Sequence, residues 1–306
     1  MRVLHVGKAL PPVPGGIETY LGDLLRAQAS LGLQVAALVH RAPGEPAPDA
    51  ESFGGASVYT CASHGQLLYA PISPGFPLAL HRAIHDFAPD VLHLHVPNTS
   101  AFAALLVPAA RRLPWVLHWH NDVDAAALDW RLRLAYPFYR PLETALLRRA
   151  ACVVTTSLAY QRASMALRPW QARCEVIPLG VDLRRLATPL PAEVEAARRE
   201  WPASGDAAPS TPTLRVLAVG RLAYYKGFEV LIEAMGHLPG ASLLVVGDGP
   251  MRGKLERRIG ELGLQSRVRL MGSLHWGEGG LGLAHCFAAC DVMCLPSLDR
   301  SESFGL

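Results

Sequence analysis

The stretch Leu214–Gly227, LRVLAVGRLAYYKG, decides the fold. Leu214 to Val219 is an almost unbroken apolar run, long enough for one buried strand of a parallel sheet. Gly220 ends it. Arg221 and Lys226 then sit in a turn with Tyr224 and Tyr225 between them, and Phe228, Leu231, Ile232 and Met235 recur at helix spacing. A turn at the carboxyl end of a parallel strand is where open α/β sheets bind ligands. Two cations beside a helix N-terminus fit a diphosphate. Two solvated surface cations fit the turn equally well, so on its own it leaves both readings open.

The same strand–corner–helix grammar runs through the chain. Strands are expected at Arg2 to Val6, Gln34 to His40, Val58 to Cys61, Asp90 to His95, Trp115 to His118, Ala151 to Thr156 and Glu175 to Ile177. Helical patterns lie between them, from Gly16, over Leu78 to Phe87, Ala101 to Arg112, Leu128 to Leu147 and Tyr160 to Leu167. Residues 188–213 are rich in proline, alanine and polar residues and read as a linker. Alternation then resumes, with strands at Leu214 to Val219, Ser242 to Val246, Val268 to Met271 and Asp291 to Leu295. The fold class is therefore α/β, with two doubly wound parallel-sheet domains, residues 1–187 and 214–306, and a ligand cleft expected between them.

Composition narrows the function. With 306 residues, half of them apolar, the chain can bury two cores. A net charge of +3 argues against a nucleic-acid partner. The six cysteines show no C-x-x-C spacing and read as small buried hydrophobes of a reducing, cytoplasmic compartment. The N-terminus lacks the apolar core of a signal peptide.

Several corners offer chemistry. Gly15-Gly16 lies between the first strand and the first helix, a geometry that exposes backbone N–H groups to an anion, although a plain turn has the same sequence. His93/His95 and His118/His120 end two strands, each pair on one face. Zinc is one reading of the four, but the ligand set is incomplete on paper, and a single histidine can bind substrate without metal. The glycines of Gly247-Asp248-Gly249-Pro250 could let a nucleotide come close, but turn chemistry, with Pro250 in the first helical turn, is the preferred reading. Arg131 to Arg149 mixes arginine, aromatic and aliphatic residues; an ordinary packed helix is the preferred reading, a helix lying on an anionic membrane the alternative.

In sum, Gly15-Gly16-Ile17-Glu18, His118 to Asp122, Pro178-Leu179-Gly180-Val181-Asp182, Val219 to Gly227, Gly247 to Pro250 and Pro296 to Leu306 resemble, in order, the retaining glycosyltransferases of GT-B fold called family 4. The resemblance implies a nucleotide-sugar donor and a glycan or lipid-linked acceptor, with no metal or other cofactor. It implies that Arg221 and Lys226 hold the donor diphosphate, that Gly15 and Gly16 close on the donor phosphate, and that His120 lies near the transferred sugar. It further implies that Glu302 binds sugar hydroxyls, that backbone N–H groups of Phe304, Gly305 and Leu306 contact sugar and phosphate, and that Ser273 to His275 lies near the base. The family's second motif glutamate would fall beyond Leu306, so the second domain is expected to be incomplete and weak in donor binding. A binding-only module and a metallohydrolase are the competing readings.

Overall fold

The computed structural model describes residues 1–13, 15–41, 51–67, 70–123, 130–180, 189–202, 214–274 and 282–298. The expectations placed on Glu302, Phe304, Gly305, Leu306 and His275 lie outside these residues. Two units separate by backbone packing, Met1–Val181 and Asp182–Gly305.

The first unit contains β1 (Arg2–Val6), β2 (Gln34–Arg41), β3 (Ser57–Ala62), a small hairpin of β4 (Gln66–Leu67) and β5 (Ala70–Pro71), β6 (Val91–Val96), β7 (Trp115–Trp119), β8 (Cys152–Thr155) and β9 (Cys174–Val176). Among the described residues its main sheet is parallel, in the order β3-β2-β1-β6-β7-β8-β9. The chain starts in the centre, winds out to β3, and returns to the other side of β1. That reversal makes a switch point between β1 and β6, the place where such sheets bind ligands.

Side-chain alternation decides what each face of this sheet holds. Leu4, Val6, Leu92, Leu94, Trp115, Leu117 and Trp119 point to one face and pack in one core. On the other face Val3, Val35, Ala37 and Val39 meet Leu21 and Leu25 of the helix Gly16–Ser30. Each such leucine contributes roughly 1.5–3 kcal/mol when removed from water. The helix Leu158–Ala163 starts where the Ser157 hydroxyl accepts the Tyr160 N–H at 3.1 Å.

One helix expectation is corrected. Residues 101–112 do not form one helix but a 3₁₀ turn, Thr99–Phe102, then short helices Ala103–Leu106 and Pro108–Arg112. Pro108 has no N–H and its ring would clash with the preceding turn. Val107 accordingly leaves the helical region, at ψ 114°.

The second unit contains β10 (Leu214–Val219), β11 (Ala241–Val246), β12 (Val268–Gly272) and β13 (Val292–Met293), all parallel, in the order β12-β11-β10-β13. Its switch point lies between β10 and β13. Phe228, Ile232, Met235, Leu255 and Ile259 pack on Val216, Ala218, Leu243 and Val245. On the opposite face Ala197, Trp201, Leu283, Cys286 and Ala289 cover Leu217, Leu244 and Val246. β13 is shorter than the expected 291–295. The Cys294 N–H still reaches the Leu217 carbonyl at 2.8 Å, but Pro296 has no donor with which to extend the ladder.

All six cysteines are free thiols. Among the described residues no helix is long and apolar enough to cross a membrane.

Candidate functional site

The corner after β10 is built by backbone touching backbone. The Gly220 N–H donates to the Val246 carbonyl, and the Leu222 N–H to the Asp248 carbonyl, each at 3.0 Å. Gly247, at φ 142°, lies so close to Gly220 that a Cβ would collide with the Gly220 carbonyl, and one on Gly249 would collide with the Leu222 backbone. The glycines of the 247–250 corner therefore bring two strand ends together, which is the turn role expected for them. Asp248 is engaged locally, accepting from the Gly249 N–H at 2.7 Å and from Arg252 Nε at 3.3 Å.

Arg221 and Lys226 bracket this corner. A 3₁₀ turn, Tyr224–Lys226, carries the chain to Gly227, whose φ of 69° is left-handed and which approaches the Pro296 carbonyl too closely for any side chain. The Leu298 N–H closes the junction on the Tyr225 carbonyl at 2.8 Å. The turn folds Lys226 back over the strand end. Its Nζ lies 3.3 Å from where a Gly220 Cβ would be, and the residue is 7 % exposed. Arg221 is exposed. A burial this deep is uncommon for lysine, whose charge is held where the switch point lies.

In the first unit the four histidines predicted in pairs are joined by a fifth. His5 is the register partner of His93, and His95 of His118, so alternation puts His5, His93, His95, His118 and His120 on one face. All five are buried. The rings stack in a layer, with His118 and His120 4.3 Å apart and His93 and His95 4.7 Å apart. Tyr20 closes over them edge-on, 5.0 Å from His118 and 5.6 Å from His120. Burial holds every one of these imidazoles below the ordinary value, His5 at about 4 and His118 at about 3. His93, His95 and His120 are held well below it, first by burial and then by repulsion from neighbouring rings. The layer is thus neutral at physiological pH.

Neutral imidazoles can hold metal, and His5/His93/His95 and His95/His118/His120 each bring ligand atoms within 4.8 Å. The nitrogens of His95 are already used, however. Its Nε2 meets His5 Nδ1 at 3.1 Å and its Nδ1 meets His120 Nε2 at 3.0 Å.

The loop after β7 is clamped. The His120 N–H donates to the Val96 carbonyl at 3.0 Å. The Asp122 carboxylate accepts from Trp119 Nε1 at 2.9 Å and from the Ser164 hydroxyl at 2.7 Å, and its N–H donates to the Tyr160 hydroxyl. Glu143 is also buried nearby; burial first, and then the charge of Asp122, push its carboxyl up to about 7.

The Gly15-Gly16 corner begins the helix that carries Tyr20, so the predicted glycines and His120 belong to one neighbourhood. Sequence reading missed what Glu18 does there. Its carboxylate folds back to the position a Gly15 Cβ would take, in the first turn of the helix. Burial raises its pKa, while its own backbone N–H and Lys8 oppose the rise. Among the described residues nothing lies within 4 Å of a Gly16 Cβ position, so their packing makes no demand for glycine there. The involvement of His5 was legible in principle, since L-H-V in β1 repeats the alternation of V-L-H-L-H-V in β6.

The Glycosyl transferase 4-like domain family matches residues 15–180, and the Glycosyl transferases group 1 family matches residues 205–306. D-rhamnosyltransferase WbpZ of Pseudomonas aeruginosa is 29% identical over 311 residues, covering 100% of this chain and 74% of that protein. O-antigen chain mannosyltransferase C of Escherichia coli is 27% identical over 314 residues, covering 100% of this chain and 75% of its own length. Among solved structures, sucrose-phosphate synthase from Thermosynechococcus elongatus superposes with a TM-score of 0.71 at 22% identity, covering 100% of this chain and 77% of that one, a likeness of fold. Because the first family alone spans more than half of the chain and the second continues it, this protein belongs to the group 1 glycosyltransferases of GT-B fold, enzymes that transfer a sugar from a nucleotide-sugar donor.

Proposed function

We propose that the chain is a retaining hexosyltransferase that needs no metal and acts on a glycan or lipid-linked acceptor. The observation that carries this is Lys226, whose buried stem holds its ammonium against the Gly220 corner at the carboxyl end of β10. As the glycosidic bond to the donor breaks, the departing diphosphate gathers negative charge. Lys226, held in place by its buried stem, and the exposed Arg221 meet that charge, which stabilises the transition state more than the ground state. Two protein cations supply the compensation that a divalent ion would otherwise give. The same leaving phosphate takes the acceptor hydroxyl proton during attack from the face it leaves, so configuration is retained and no enzyme nucleophile is required.

The other roles follow from the resemblance. His120 faces the transferred sugar, Gly15 and Gly16 close on the donor phosphate, Glu302 binds sugar hydroxyls, and the backbone of Phe304, Gly305 and Leu306 contacts sugar and phosphate. Residues 1–187 would then form the acceptor-side domain and 214–306 the donor domain, joined by 188–213. The rhamnosyl- and O-antigen mannosyltransferase activities of the two bacterial relatives favour a deoxyhexose or mannose and a bacterial surface glycan.

A peripheral membrane contact belongs to the same proposal. Leu134, Phe138 and Leu142 recur every fourth residue on the helix Trp130–Arg149 and are 64%, 80% and 43% exposed. Arg131, Arg133 and Arg140 are exposed on the same helix. Apolar residues flanked by arginine suit an anionic lipid surface, where a lipid-linked acceptor would lie. The reaction is tested by proton NMR of the anomeric centre, with GDP-mannose and UDP-glucose as donors and EDTA present. An α-linked product from the α-configured donor supports the proposal; an inverted product, or turnover abolished by EDTA, contradicts it.

A further inference from the structure

The histidine layer has a direction. Starting from helix Gly16–Ser30, the Gln28 Oε1 lies 2.7 Å from His5 Nε2. His5 Nδ1 lies 3.1 Å from His95 Nε2, and His95 Nδ1 lies 3.0 Å from His120 Nε2. A carbonyl oxygen can only accept, so His5 carries its proton on Nε2. A neutral imidazole has one N–H and one lone pair, so His5 Nδ1 accepts and His95 Nε2 donates. The same step repeats once more: His95 Nδ1 accepts, His120 Nε2 donates, and His120 Nδ1 is left with the lone pair. Each ring permits only one assignment once Gln28 is fixed. His93 and His118 stand outside this chain: His93 Nε2 and both nitrogens of His118 are buried without a hydrogen-bond partner among the described residues.

We propose that Gln28, His5 and His95 are positioning residues that fix the tautomer of His120, so that its Nδ1 presents a lone pair to accept a hydroxyl proton of the transferred sugar in a hydrogen bond. The proposal rests on the reading that His120 faces the sugar. No proton is transferred; the chain sets which partner donates and which accepts. A sugar hydroxyl that donates to His120 has its oxygen lone pairs free for other donors, whereas the opposite tautomer would oppose N–H to hydroxyl and demand the reverse. The choice is set from within the sheet face, because His5 and His95, which pass it on, are themselves buried. A metal ion on His95 would take one of its nitrogens and break the chain at that link, so the relay and a metal at His95 exclude each other.

The test is long-range proton–nitrogen correlation NMR of the full chain, labelled with nitrogen-15, at pH 7.5, for wild type and Gln28→Met. In wild type His5, His95 and His120 should all show protonated Nε2 and bare Nδ1. Gln28→Met removes the acceptor at nearly constant volume, and the uniform tautomer should be lost. Amide spectra and the binding of GDP and UDP should be unchanged, because Arg221 and Lys226 belong to the other unit and Gln28 lies at the opposite end of its helix from Gly15 and Gly16. The turnover number of whichever of GDP-mannose and UDP-glucose is a donor should fall about tenfold, the worth of one hydrogen bond of roughly 1.4 kcal/mol. A protonated Nδ1 on wild-type His120, imidazole spectra unchanged by Gln28→Met, or a stoichiometric metal bound at His95 would each overturn the relay. Undiminished turnover in a variant whose tautomer has changed would overturn its link to the sugar. Failure of the wild type to turn over either donor falls on the proposed function, while the imidazole spectra of wild type and Gln28→Met decide the relay without any donor.

Discussion

Acid should unfold the first unit early and steeply. The perturbation is a fall in pH from 7.5 to 5.5. In the unfolded chain each imidazole regains its ordinary value of about 6.5 and takes up a proton over this range. In the folded chain His5 stays neutral down to about 4 and His118 to about 3, with His93, His95 and His120 also held well below 6.5. The sign follows from linkage: the unfolded state binds more protons, so stability is fully present above 6.5 and is lost as pH falls toward the folded values. At pH 5.5 each ring contributes about 1.4 kcal/mol of loss, and the five together about 7 kcal/mol. That is comparable with the whole stability of an ordinary domain, about 5–15 kcal/mol. Urea unfolding followed by the fluorescence of buried Trp115 and Trp119 measures it directly. The expected result is a first-unit transition that weakens by several kcal/mol over those two pH units, with a slope that steepens from about half a proton at pH 7.5 to between about four and five protons at pH 5.5. A loss below about 2 kcal/mol, roughly the effect of one ring, would show that the layer titrates freely and refute the reasoning.

The remaining predictions concern single side chains. Glu143, held up at about 7, binds its proton more tightly folded than unfolded, so it costs stability as pH rises from about 4.5 through about 7. Glu143→Gln should therefore lie within about 1 kcal/mol of wild type at pH 5 and exceed it by about 3 kcal/mol at pH 8, read by urea unfolding. Gly247→Ala must displace the Gly220 carbonyl from a backbone at φ 142° and should destabilise the second unit by roughly 3 kcal/mol, whereas Gly16→Ala, which meets nothing, should leave the melting temperature unchanged and lower turnover. Phe138→Glu should reduce flotation with vesicles of anionic lipid; equal flotation of variant and wild type would remove the membrane contact from the proposal.

Much of the fold was legible because strand and helix periodicity are local. Leu214–Val219 appears as the expected strand, and Arg221 and Lys226 lie in the corner that follows it. What sequence could not supply was strand order. The pairs His93/His95 and His118/His120 were visible as alternation, but only the placement of β1 beside β6 adds His5, and only the helix crossing above adds Gln28 and Tyr20. The broken helix at Pro108 was local and legible in principle, for proline limits the residue before it; the apolar run around it carried more weight than it should have. Glu18 escaped notice for another reason. A carboxylate three residues into a helix reads as a favourable dipole partner, and nothing in the sequence says that it folds back over Gly15.

The central claim is that Arg221 and Lys226 hold a nucleoside diphosphate. Thermal unfolding with a panel of nucleoside diphosphates tests it most directly, run on wild type, Arg221→Ala and Lys226→Ala. A ligand that binds only the folded state at a hundred times its Kd adds about 2.7 kcal/mol of stability, a rise of roughly 5–10 °C. Such a rise is expected with one nucleotide base in wild type and lost in both variants, while their ligand-free melting temperatures stay near that of wild type. A folded wild type that responds to no nucleotide, or variants that respond as strongly as wild type does, would contradict it.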